Sequence, residues 1–152
     1  MPYQLKTLIN CDELVSVNRR LAKGGRRGKH LSPPVQREIA QLTKSLEDRR
    51  IQRNSADPNK FYTISLIFYL KSSIFRRDLD NMVKIVIDAI TPYLGFNDNK
   101  IISYRLAKRQ INYPEDYPNP KEWVYLEITE TDKSRSDLQT SFEEFKSYWK
   151  IK

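Results

Sequence analysis

The chain has 152 residues, with 27 Lys and Arg against 19 Asp and Glu, a formal net charge of +8. That length suits one domain, able to bury roughly 68–70% of its unfolded surface without a disulfide or metal, and a composition 39% hydrophobic and 30% charged excludes a disordered chain. A lone Cys11 excludes an internal disulfide framework, and no apolar run exceeds Leu66–Leu70, so we expect a cytoplasmic protein with no signal peptide and no membrane partner.

Residues 3–9 read as a strand. Residues 16–31 follow as a base-rich loop containing Gly24, Gly25 and Gly28, and the net charge is concentrated around it. Residues 19–60 carry 12 bases and 4 acids, whereas residues 61–130 carry 9 of each. Arg19–Lys29 alone holds six bases and no acid. A basic segment this focused implies a polyanionic partner, nucleic acid or an anionic membrane face. Ser32 should cap a helix, with Pro33 and Pro34 in its first turn and Val35, Ile39, Leu42 and Leu46 on one face. A polar tract, Asp48–Lys60, ends that pattern.

Phe61–Leu70 is apolar on both faces, as in a central strand. A second helix is expected over Asp78–Ile90, with Leu79, Val83, Val86, Ile87 and Ile90 on one face and Pro92 just past its end. Ile101–Ile111 and Trp123–Thr129 read as two adjacent strands, joined by a stiff loop holding Pro114, Pro118 and Pro120. Beyond residue 131, Leu138, Phe142, Phe145 and Trp149 recur at helical spacing. Ser136 and Gln139 resemble a capping box for this tail helix, which we expect to dock on its own domain. The chain thus divides into a domain at 1–130 and, at 131–152, a polar linker with an amphipathic helix.

Chemistry concentrates at Arg76-Arg77-Asp78-Leu79-Asp80-Asn81-Met82-Val83-Lys84. Carboxylates at i and i+2, where a loop becomes a helix, can converge on one cation, and Mg²⁺ takes one or two carboxylates while keeping positions for water and phosphate. Lys84 lies one turn beyond Asp80, placed to orient a carboxylate or meet a phosphate oxygen. Arg76 and Arg77 offer guanidinium forks that match phosphate. Taken singly, Asp80 is equally a helix cap and Lys84 an i,i+4 partner. Asp98 has turn chemistry by default, and becomes a third ligand only if the fold returns it to the start of the preceding helix. His30 is the only histidine, so zinc chemistry and a Ser-His-Asp triad both lack parts.

In three blocks the sequence resembles the RusA family of Holliday-junction resolvases. They are Ser16-Val17-Asn18-Arg19 with Gly28-Lys29-His30-Leu31-Ser32; Arg77-Asp78-Leu79-Asp80-Asn81, continuing through Lys84 to Asp88-Ala89-Ile90-Thr91; and Gly95-Phe96-Asn97-Asp98 with Lys100-Ile101-Ile102 and Tyr104-Arg105. The family often has paired acids in the third block; here Asn97 precedes a single Asp98, which matches the second of them. The Pro-rich loop and the tail fall outside the resemblance.

The resemblance implies a two-layer α+β domain, a small mixed β-sheet with helices packed on one face, to which this chain adds its C-terminal helix. It also implies a homodimer and Mg²⁺-dependent cleavage of branched DNA, Mn²⁺ being able to substitute, by paired symmetrical nicks in a four-way junction. The implied metal ligands are Asp78, Asp80 and Asp98, with Lys84 a further catalytic residue. Expected DNA contacts are Arg19, Arg20, Arg26, Arg27, Lys29, His30, Arg76 and Arg77. The alternatives are a structure-tolerant flap or duplex nuclease and a non-catalytic branched-DNA-binding protein.

Overall fold

Alternation at period two builds the sheet. Along β2 (Tyr62–Leu70), Tyr62, Ile64, Leu66, Phe68 and Leu70 are buried and their neighbours are half-exposed; along β4 (Glu122–Glu130), Glu122, Val124, Leu126 and Ile128 keep the same phase. The computed structural model describes residues 2–15 and 31–152. Its remaining elements are β1 (Gln4–Cys11), α1 (Pro33–Asp48), α2 (Leu79–Leu94), β3 (Ile101–Gln110) and α3 (Phe142–Trp149). The four strands form one mixed sheet in the order β1-β4-β2-β3. β4 is antiparallel to both β1 and β2, while β2 and β3 run parallel, joined by α2 as a parallel pair requires.

α1 and α2 pack on each other and on one sheet face, where Leu42, Leu46, Met82, Val86 and Ile90 meet the inward residues of β2 and β4. The expected two-layer α+β architecture, with helices on one face and a helix at the C-terminus, is therefore the one that forms. No helix among the described residues is long and apolar enough to cross a membrane.

The end of α2 is set from outside the helix. Asn54 N–H donates to Tyr93 O (2.9 Å) and Ala56 N–H to Leu94 O (3.0 Å), so the polar tract after α1 clamps the last turn. Gly95 then takes φ +93°, closing with N–H to Thr91 O at 2.9 Å. A Cβ there would lie 3.0 Å from the Asn54 Cα and 2.9 Å from its Oδ1, so both the left-handed backbone and the close approach require glycine.

Four local expectations need correction. β3 and β4 are not adjacent, because the connection after β3, where Ile111 N–H donates to Leu70 O, crosses the end of β2 and delivers β4 to its other side. α2 continues past Ile90 to Leu94 with the exposed Pro92 inside it, the clamp from residues 54–56 holding a turn that proline alone would end. The tail helix is capped by Ser141, whose Oγ accepts from Glu144 N–H (3.1 Å), whereas Ser136–Leu138 forms only a 3₁₀ turn. Nor does α3 dock on its domain: Phe142, Phe145, Tyr148 and Trp149 are 67%, 43%, 77% and 63% exposed.

Candidate functional site

The turn that leads into α2 is braced before any acid appears. Lys108, on the helix-facing side of β3, donates from Nζ to Ile74 O (2.7 Å) and Arg77 O (2.6 Å). The backbone is still extended at Asp78 (φ −87°, ψ 136°), and the helix starts at Leu79. Asp78 and Asp80 consequently flank the loop-to-helix junction, both exposed, with Asn81 Nδ2 donating to Asp78 Oδ2 at 3.3 Å.

Asp80, Lys84 and Asp88 follow at four-residue steps along one face of α2. The chain then reverses at Gly95, and the 3₁₀ turn Asp98–Lys100 returns beside the same helix. There Lys84 Nζ lies 3.1 Å from Asp98 Oδ2 and 3.2 Å from Asp88 Oδ1. The hydrogen bond to Asp98, then that to Asp88, holds the Lys84 ammonium above its ordinary pKa, so it is a fixed cation at neutral pH. Tyr104, on β3 beside them, has its phenol pushed up by burial and then by the Asp98 charge.

Asp98 does return to the preceding helix, but at Lys84 and not at the helix start where Asp78 and Asp80 stand, so the condition set for a third ligand is met only in part. Among the described residues, no three His, Cys, Asp or Glu side chains lie close enough together to hold a metal ion. The donor chemistry still fits Mg²⁺: every donor is a hard carboxylate oxygen, Asp78 and Asp80 are exposed, and the ion needs only one or two of them beside water and phosphate.

The expected phosphate contacts separate. Arg19, Arg20, Arg26, Arg27, Lys29 and His30 lie outside the described residues. Arg76 is exposed in the turn before Asp78. Arg77 is turned inward: its guanidinium pairs with the fully buried Glu122 and donates to Leu14 O (2.9 Å) and Ser72 Oγ (3.3 Å). The expected Arg77–phosphate contact gives way to this buried pair, because Glu122 in the core needs a cation more than solvent does.

Two carboxylates missed in the sequence organise this inner network. Glu122 accepts from the backbone N–H of Leu14 and Lys71, both at 2.8 Å. Glu38, 2% exposed, accepts from Val15 N–H at 2.6 Å, while its Oε2 has no hydrogen-bond partner among the described residues. Burial pushes the Glu38 carboxyl up to about 8; the Val15 N–H opposes the rise, and the Glu122 and Glu13 charges add to it. Together the two acids fix residues 14–15, at the root of the basic segment. Both were within reach of the pattern: Glu122 shares the strand phase of Val124, Leu126 and Ile128, and Glu38 stands three residues after Val35 and four before Leu42.

No model of a known protein family matches this chain, and no curated protein matches it.

Proposed function

We propose that this chain is a Mg²⁺-dependent endodeoxyribonuclease that resolves four-way DNA junctions by paired symmetrical nicks in recombination and repair, acting as a homodimer. The observation that carries the reading is the return of Asp98 to the helix opened by Asp78 and Asp80, with Lys84 between the helix start and the returning turn. A pure phosphate binder gains nothing from acids gathered beside its bases.

Asp78 and Asp80 would hold the ion, with Asp98, which sits at Lys84, as the third carboxylate of the reading; the ion would activate water and offset charge on the phosphate and the leaving 3′ oxygen. Lys84, held as a cation by Asp98 and Asp88, supplies a fixed positive charge for the scissile phosphate. Arg76 can meet a neighbouring phosphate through its guanidinium fork. The six bases of Arg19–Lys29 supply a grip that positions the duplex without reading bases. A two-fold pair would offer two such sites to the symmetry-related strands of a junction.

The test is incubation with synthetic four-way junction, flap and linear duplex, each with Mg²⁺ or EDTA. Symmetrical nicks in the junction alone, and only with Mg²⁺, are expected. Equal cutting of flap and duplex selects the structure-tolerant nuclease, and binding without cutting in either Mg²⁺ or Mn²⁺ selects the non-catalytic binder.

A further inference from the structure

Two apolar surfaces of this chain lie uncovered among the described residues. One is the sheet face turned away from the helices, where Leu8, Tyr69, Ile111, Trp123 and Tyr125 line a concavity of about 330 Å³. Its polar ends are already satisfied: the Trp123 indole N–H donates to Tyr113 Oη (3.1 Å), and that hydroxyl donates to Lys121 O (2.6 Å). What remains facing outward is ring and methyl surface. The other is α3, where Phe142, Phe145 and Trp149 recur on one stripe with Tyr148 beside it, all exposed.

The turn Ser136–Leu138 sits beside Phe61, Lys100 and Ile102, at the end of the sheet opposite the concavity. From Leu138 to Phe142 the chain spans at most about 14 Å, against roughly 26 Å of strand from Phe61 to Tyr69. The first turn of α3 therefore stays short of its own concavity, and the aromatic stripe lies exposed rather than folded back on its own chain.

We propose that α3 of one copy lies across the open sheet face of a second, and reciprocally, giving an arm-exchanged two-fold pair. Charge fits the docking. The first turn of α3 carries Glu143 and Glu144, while Arg105 and Arg109 stand exposed on edge strand β3, level with Ser65 and Tyr69 on the open face. Area fits as well. Aromatic side chains this exposed offer on the order of 100 Å² each, so two arms on two faces bury on the order of 1,600 Å², the size of a standard specific interface. The contact is independent of the nuclease reading and gives the homodimer a definite surface; failure of the cleavage test leaves it standing.

Sedimentation velocity on the full chain tests it with two variants, Phe145→Glu/Trp149→Glu in the arm and Tyr125→Glu on the face, each checked for an unchanged far-ultraviolet circular dichroism spectrum. The unaltered chain should sediment at twice the single-chain mass, and each variant should raise the dissociation constant at least about tenfold. An equimolar mixture of the two variants keeps one intact arm–face contact. It should therefore pair at concentrations where either variant alone is a single chain. A mixture no better than its components overturns the proposal, as does an unaltered chain that sediments as one copy. An arm variant that pairs normally while the face variant does not means the sheets meet directly. A face variant that pairs normally but loses single-stranded DNA binding makes this face a base-stacking platform; either result also overturns it.

Discussion

Two sets of carboxylates lie on either side of the turn that opens α2, and they differ in almost every physical respect. Glu38 and Glu122 are buried, receive backbone N–H groups from residues 14, 15 and 71, and in the case of Glu122 hold an arginine. Asp78, Asp80 and Asp98 face solvent, and among the described residues none accepts a backbone hydrogen bond from another element. The same functional group thus serves as an internal brace in one setting and stands open to a ligand in the other. The inner acids shape the chain that the outer acids would use, since Arg77 ties the residue before Asp78 to Glu122 and to Leu14.

Changes to the inner set should move stability, and changes to the outer set should hardly do so. The largest effect on stability is expected from Glu122→Ala, which leaves Arg77 and two backbone N–H groups without their acceptor in the core. A loss of about 3–5 kcal/mol in urea unfolding is expected, and a loss below about 1 kcal/mol would place Glu122 among ordinary surface pairs.

Glu38→Gln sharpens the contrast through pH. A carboxyl whose folded pKa is raised from 4.5 to about 8 keeps its proton longer in the folded state, so stability falls as pH climbs through that window. Glutamine retains an oxygen for Val15 N–H and has no charge to bury. The variant should gain on the order of a few kcal/mol over the parent at pH 8.5 and show little difference at pH 4.5, as read from paired melting curves. A gap independent of pH would mean that Glu38 is not the group being titrated. Glu13, Glu122 and Arg77 face it, and the same substitution leaves all three in place.

Next comes Gly95→Ala, which forces a Cβ against Asn54 in a left-handed backbone; about 1–2 kcal/mol should be lost. Smallest is Lys84→Gln. Its two ion pairs are exposed, so stability should change by less than about 1 kcal/mol, while cleavage should fall steeply because the cation beside Asp98 is gone. Cleavage that survives this change would remove Lys84 from the chemistry.

Much of the fold was legible: the helix from Pro33 and the second helix, expected from Asp78 and beginning at Leu79, follow the helical period, and the strand 61–70 stood out as a run apolar on both faces. The order of strands was not, because a connection long enough to cross β2 leaves neighbours undetermined. Pro92 misled for a related reason, the bonds that keep its turn helical coming from Asn54 and Ala56. At the site, the outer acids stood out as a local run, but the inward turn of Arg77 depends on Glu122, 45 residues away. A charge within an otherwise apolar phase, as at Glu38 and Glu122, was the available signal for the inner pair.

The most direct measurement is Mg²⁺-dependent cutting of a synthetic four-way junction by Asp80→Asn, with binding and melting temperature recorded on the same preparation. Cutting should fall by at least about 10³-fold, roughly 4 kcal/mol of barrier, with junction binding retained. Stability should change only by the few tenths of a kcal/mol that an acid in a helix's first turn contributes. Cutting retained at unchanged Mg²⁺ would contradict the assignment of the outer acids to the metal.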